Sequence, residues 1–219
     1  MALFDCTCDA KSGNARALTF TTAHGDFRTP MFMPVGTSAT VKGITPPQLR
    51  ELKSQVVLAN TYHLSPRPGE DVVAQAGGVH KFMNYDGPML TDSGGFQIFS
   101  LADTRKLDDD GVPFRSIYAG SYVRWTPEEN MRIQEALGAD IAMQLDQCPP
   151  YPATREFVER AVDLSAMWAR RCLAAHKRPD QTLFGIVQGG LSLDLRLESI
   201  RRLRDIDDES QAAGGRRFG

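Results

Sequence analysis

PMLTDSGGFQ (residues 88–97) joins a short apolar run to an acid, a hydroxyl, two glycines, an aromatic ring and an amide. The run at 88–90 predicts a strand. The polar residues that end it predict a loop closing on a flat, polar ligand. Gly94 and Gly95 permit positive φ and close backbone approach. Asp92 is able to accept N–H protons or to act as a base, and Phe96 offers a face for stacking. The plainer reading is a tight turn whose Asp92 and Ser93 cap the next helix. The stretch alone does not choose between them.

Outward from it the chain alternates strands and helices. Residues 17–22 and 27–35 are β-rich and flank Ala23-His24-Gly25-Asp26, which predicts an N-terminal hairpin. Thr45-Pro46 predicts a helix start, running to about residue 54. A short apolar strand at 55–59 ends at Asn60-Thr61-Tyr62-His63, and a helix is predicted over 70–76 with Gly77-Gly78 as its stop. Residues 111–125 alternate around Ala119-Gly120 and predict a second, inserted hairpin. Thr126-Pro127-Glu128-Glu129 is a capping box opening a helix that stops at Gly138. A strand at 140–145 ends at Asp146. Residues 154–175 form a long amphipathic helix, with Phe157, Ala161, Leu164, Met167, Trp168 and Cys172 at helical spacing. A strand at 183–187 ends at Gln188-Gly189-Gly190, and 193–204 is the last clear helix. Such alternation predicts an α/β fold with a parallel sheet.

Composition sets few limits. The 219 residues are 42% hydrophobic and 24% charged, with net charge −2. That is ordinary for a globular domain and announces no nucleic-acid partner, although a local basic face remains compatible with it. No apolar run approaches the roughly 18 residues of a membrane span, and residues 1–12 lack a signal-peptide pattern, so a cytoplasmic protein is expected. Cys6, Cys8, Cys148 and Cys172 form no disulfide framework and read as free thiols. Cys6-x-Cys8 is half of a metal site without a second half.

Three predicted strands end in groups suited to a base edge: Asp92, Asp146 and Gln188. Ligands of parallel α/β sheets bind at the carboxyl ends of strands. A carboxylate accepts from a guanine ring N–H and its exocyclic amine together, and an amide donates to the carbonyl oxygen. The bland alternative is that each caps a helix or satisfies a loop. A metal site from His63, Asp92 and Asp146 is a further alternative, without H-x-H or H-E-x-x-H spacing to support it.

MPVGTSATVKGIT (33–45), LANTYHLSPRPG (58–69), LTDSGGFQIFSL (90–101), FRSIYAGS (114–121), LDQCPPYP (145–152) and FGIVQGG (184–190) resemble the tRNA-guanine transglycosylases, also called queuine tRNA-ribosyltransferases. The bacterial branch is the nearer likeness, through Asp-Gln-Cys and the prolines after it. The resemblance implies a TIM (β/α)8 barrel with a zinc-binding insertion, exchanging guanine at the wobble position of the tRNA anticodon loop for a 7-deazaguanine in queuosine biosynthesis. It implies Asp92 as proton acceptor, Ser93, Gly94, Gly95 and Phe96 as the substrate loop, Asp146 and Gln188 on the guanine edge, and a backbone donor at Gly215. The family's nucleophilic aspartate, with a Pro-Thr-Arg motif, and its zinc ligands, C-x-C-x-x-C plus a histidine, match nothing in this sequence. A barrel of this kind needs about 250 residues. The expectation is therefore an incomplete barrel, an N-terminal part of a transglycosylase over residues 1–204 with a divergent tail at 205–219 and the zinc subdomain absent. Alone it is expected to be inactive and poorly stable; the full-length family forms homodimers. The competing expectation is a non-catalytic subunit that binds a deazaguanine or a partner. Arg170, Arg171, Lys177, Arg178, Arg201, Arg202 and Arg204 are candidates for RNA phosphates or, more simply, a solvated helix face.

Overall fold

The computed structural model describes residues 4–101, 108–115 and 120–219. Ala119 of the expected second turn and residues 116–119 of FRSIYAGS lie outside the described residues. The chain opens with β1 (Asp5–Ser12), β2 (Ala15–Thr22) and β3 (Gly25–Thr29), paired antiparallel in that order. The expected hairpin is β2–β3. β1 went unread because every residue in it is exposed, so no buried face stamps a two-residue period on the sequence. The expected strand over 27–35 divides: β3 stops at Thr29, before Pro30, which has no N–H to give a ladder. Val35–Gly36 is a separate strand, β4.

The remaining elements alternate: α1 (Pro46–Glu51), β5 (Val57–Asn60), α2 (Thr61–Leu64), α3 (Glu70–Gln75), α4 (Val79–Met83), β6 (Met89–Asp92), α5 (Gly95–Leu101), β7 (Val112–Arg115), β8 (Tyr122–Trp125), α6 (Pro127–Leu137), β9 (Ile141–Met143), α7 (Arg155–Ala175), β10 (Thr182–Phe184) and α8 (Leu193–Ala212). The helix starts follow their caps. Thr126 accepts from the Glu129 N–H and Thr154 from the Phe157 N–H, and α6 ends where Gly138 takes φ of 72°. α8 runs past the expected end at Arg204. The chain then returns along β10, where the Gly219 N–H donates to the Leu183 carbonyl at 2.9 Å.

β4, β5, β6, β9 and β10 form one parallel sheet in sequence order, and β7–β8 is the second hairpin. Successive strand residues point to opposite faces, and the two faces differ. One carries Val57, Ala59, Met89, Ala142 and Leu183 into a core shared with helix residues such as Leu49, Ile133, Leu164 and Trp168. The other carries Leu90 and Ile141, with Leu58, Met143 and Phe184, against Phe27, Phe20 and Phe4 of the N-terminal sheet. Among the described residues no helix side chain joins this second core. The helices cover one face only, and the hairpin's aromatic rings close the lower part of the other.

Candidate base-binding site at the strand ends

The alternation that buries Leu58 and Leu90 on the hairpin-covered face also turns Asn60 and Asp92, two residues on, to that face. β5 and β6 pair Asn60 directly opposite Asp92. The Asn60 amide donates to Asp92 Oδ2 at 2.6 Å, while the Thr61 and Gly94 N–H groups donate to Oδ1 at 3.2 and 3.1 Å. The turn after β6 realises both readings of its sequence. Ser93 Oγ accepts from the Gly95 N–H and opens α5, as a cap would. It also donates to Asp146 Oδ1 at 3.2 Å, fastening two strand ends together. Gly94 has φ of 72°. Gly95 does not use the positive-φ freedom expected of it. A Cβ there would stand 2.8 Å from Asp146 Oδ1, so its role is close approach.

Asp146 follows β9 and Gln188 follows β10. The Gln188 amide donates to Asp146 Oδ2 at 2.5 Å. Asp92, Ser93, Gly94, Gly95, Phe96 and Asp146 line one cavity of about 330 Å³, at the lower end of the range for small-molecule sites, about 300–1,000 Å³. Leu58, Leu90, Met143 and Ile186 form its apolar floor and Cys148 its wall. Phe96 stands at the rim with its ring 66% exposed. Gly215 is not brought here. It lines a larger cavity of about 800 Å³ beside Asp140, Gln181 and Thr182, residues at the starts of β9 and β10. Gly215 therefore lies at the amino ends of the strands, because α8 carries the chain back down the sheet. The Gly215 N–H is used on the Ser210 carbonyl at 2.8 Å. The larger cavity gathers none of the strand-end groups. Sequence reasoning missed Asn60 as the partner of Asp92; its place at the end of a strand was the available signal.

Burial pushes the Asp92 carboxyl up to about 6, against the opposing pull of its hydrogen bonds from Thr61, Gly94 and Asn60, with the nearby Asp146 charge adding to the rise. Burial raises Asp146 to about 6 as well, opposed by the bonds from Gln188 and Ser93. The unfolded carboxyl titrates near 3.8, so the folded form holds its proton more tightly. The advantage of the folded state is full below about pH 4 and is lost as pH rises through about 6. For Asp92 the gap is worth about 3 kcal/mol. Asp92→Asn removes this titration. Its stability relative to the parent should improve by about 3 kcal/mol between pH 4 and pH 7, measured by urea unfolding at both values. A gap that stays constant across that range would mean Asp92 ionises as an ordinary surface acid.

His63 is not gathered with Asp92 and Asp146 into a metal-binding group. Among the described residues, the one group of His, Cys, Asp and Glu close enough to hold an ion is His24, His80 and Asp140. Its geometry is that of a hydrogen-bonded clasp. His24 Nδ1 and the His24 N–H meet Asp140 Oδ1 at 2.8 and 3.2 Å; His80 Nε2 and the Met89 N–H meet Oδ2, each at 2.9 Å. The imidazoles stack 3.6 Å apart and nearly parallel, so their in-plane lone pairs do not converge on one ion. The donor set also lacks the thiolates of a Cys3His zinc site, and Cys6 and Cys8 are exposed on β1. Five of the seven basic candidates are paired with acidic side chains. Arg170 pairs with Glu209, Arg171 with Glu128, Arg178 with Asp180, Arg201 with Glu198 and Asp205, and Arg202 with Asp163 and Glu198.

The family model described as queuine tRNA-ribosyltransferase matches residues 9–219. A queuine tRNA-ribosyltransferase of Gloeobacter violaceus is 56% identical over 214 residues, covering 98% of this chain and 57% of the relative. Those of Synechococcus elongatus and Macrococcus caseolyticus are 56% and 53% identical, over 96% and 95% of this chain and 55% of each relative. The chain thus spans about half the length of the curated relatives it matches.

Proposed function

We propose that this chain, which belongs to the queuine tRNA-ribosyltransferase family, carries the base-recognition side of a site that exchanges guanine in a tRNA anticodon loop for a 7-deazaguanine. The observation that carries the reading is that Asp92 and Asp146, from two strand ends, line one base-sized cavity, with Gln188 from a third bonded to Asp146 behind it.

The chemistry follows from the groups. A base turned out of its loop meets the apolar floor of Leu58, Leu90, Met143 and Ile186 with one face, and Phe96 at the rim closes on it by stacking. Asp146 accepts from the ring N–H and exocyclic amine of the guanine edge. Gln188, released from Asp146, donates to the carbonyl oxygen. Asp92, with its pKa near neutrality, takes the proton of the incoming base. Cleavage of the glycosidic bond needs a nucleophile on the ribose. None of the groups gathered here faces that task, and we assign it to the length that the relatives have beyond this match. Zinc belongs, on the same reading, to that remaining length.

The same reading makes the fold part of a (β/α)8 barrel. Two features support it: the parallel strands run in sequence order, and the helices lie on one face, whereas doubly wound sheets carry helices on both. The barrel segment expected to end at residue 204 would then extend to the end of α8 at Ala212, with the last residues folded back on β10. The partners would be tRNA and the free bases, in the cytoplasm, with the complete protein a homodimer. No helix among the described residues is long and apolar enough to cross a membrane.

The test is complementation. The chain is mixed with a separately expressed remainder of a relative, and incorporation of labelled guanine into tRNA is measured. Exchange by the mixture, and none by the chain alone, is expected. Binding of 7-deazaguanine without exchange in any mixture would point instead to a non-catalytic base-binding subunit. Absence of both binding and exchange would overturn the proposal.

A further inference from the structure

Asn130 and Gln134 lie one turn apart on α6, and both are fully buried. Buried amides in a helix demand partners, and theirs are unusual. The Asn130 amide donates to the Ser93 carbonyl at 2.8 Å and accepts from Gln134 Nε2 at 2.7 Å. Gln134 Nε2 also donates to the Met143 carbonyl at 2.7 Å, while its Oε1 accepts from the Met143 N–H at 3.0 Å and from Thr91 Oγ1 at 2.9 Å. The side-chain amide therefore pairs with Met143 as a neighbouring strand would.

The reason lies in the sheet. β6 and β9 pair only at Leu90–Ile141 and Thr91–Ala142. Beyond that point β6 turns off toward Ser93 and α5, and β9 continues toward Asp146. The splay leaves the Met143 backbone without a strand partner on that side, and it is the gap whose mouth holds Asp92 and Asp146. Gln134 fills the rear of the gap and Asn130 fixes the Ser93 carbonyl. All four hydrogen bonds of Gln134 are spent within the protein, so neither amide touches a ligand.

We infer that Asn130 and Gln134 are positioning residues that set the separation of the Asp92–Ser93 and Asp146 strand ends. The functional consequence, though not the structural one, rests on the base-binding reading. A Ser93 segment released from Asn130 would carry its hydroxyl away from Asp146 and Asp92 away from the base.

Amide hydrogen exchange on the intact chain tests this without any ligand. Asn130→Asp keeps the acceptor for Gln134 and, measured at a pH where it is ionised, has no proton to donate to Ser93. Exchange at Gly94 and Gly95 should accelerate about tenfold or more, with α7 and the β1–β3 sheet unchanged. Thr91→Val removes the hydroxyl shared between Gln134 Oε1 and the Ile141 carbonyl and is the milder second variant if Asn130→Asp does not fold; it should accelerate the same amides by a smaller factor. A merely structural role would raise exchange evenly across the chain. That result, or unchanged exchange at Gly94 and Gly95 in a folded variant, would overturn the inference. In parallel, the affinity for 7-deazaguanine should fall about tenfold in Asn130→Asp. If the parent chain binds no base while the local exchange effect appears, the functional reading fails and the positioning role stands.

Discussion

Asp146→Ala should lower the affinity of the chain for 7-deazaguanine by about a hundredfold or more, through two lost charge-assisted hydrogen bonds worth about 1.5–3 kcal/mol each. On the proposed reading Asp146 is the carboxylate that accepts two base donors at once. Its side chain is buried, and it is already aimed by Ser93 Oγ and the Gln188 amide. Truncation leaves Gln188 free to turn, but an amide alone does not match both the N–H pair and the carbonyl of a guanine edge. Because burial holds Asp146 at about 6, its charge is a cost to the folded state at neutral pH, which offsets part of what is lost when Ser93 and Gln188 are left without their acceptor. Asp146→Asn separates charge from shape, since it presents an NH2 toward the base donors. Its loss should be nearly as large. Calorimetric titration of the folded variants with 7-deazaguanine decides the matter, and a loss under about threefold would remove Asp146 from base recognition.

The second large effect lies at the opposite end of the sheet. Asp140→Ala should destabilise the chain by about 3–5 kcal/mol, because it leaves several donors without their acceptor, at about 1–3 kcal/mol for each buried one. Burial opposes the Asp140 charge, but the bonds from His80, His24 and the Met89 N–H outweigh that and hold its carboxyl below the ordinary range. The carboxylate joins three segments: the turn after β2, α4 and the start of β6. Its loss strands several donors at once and frees the N-terminal sheet from the strands it covers. The pH dependence is opposite in sign to that of Asp92. A depressed carboxyl gives stability that is present above about pH 3.8 and is lost as pH falls through its folded value. Urea unfolding at pH 7 checks the magnitude. A loss below about 1 kcal/mol would show that the N-terminal sheet is held by its aromatic contacts alone.

Much of this was legible in the chain. Thr126, Thr154 and Gly138 bound their helices where their chemistry says they should, because caps act within four residues and sequence records local interactions directly. Asp92, Asp146 and Gln188 stood out because each follows an apolar strand. Where burial was absent, as along β1, no period was written and no strand was read. The long-range pairs left no mark at all. His24 and His80 are separated from Asp140 by 116 and 60 residues, and nothing near any of the three announces the others. Asn130 and Gln134 drew no reading from the sequence, yet both are buried.

The sequence by itself determined the alternation of strands and helices, and it placed an acid or an amide at three strand ends. It also determined the family, since residues 9–219 match throughout. The tertiary structure alone decided which of the expected groups meet. Parallel pairing in sequence order set Asn60 beside Asp92 and brought Asp146 to Ser93 and Gln188. The return of α8 carried Gly215 to the other end of the sheet. The physical reason is one of range. Propensity, capping and periodicity act over a few residues, whereas a site is built from contacts whose partners are fixed only when the strands choose their neighbours.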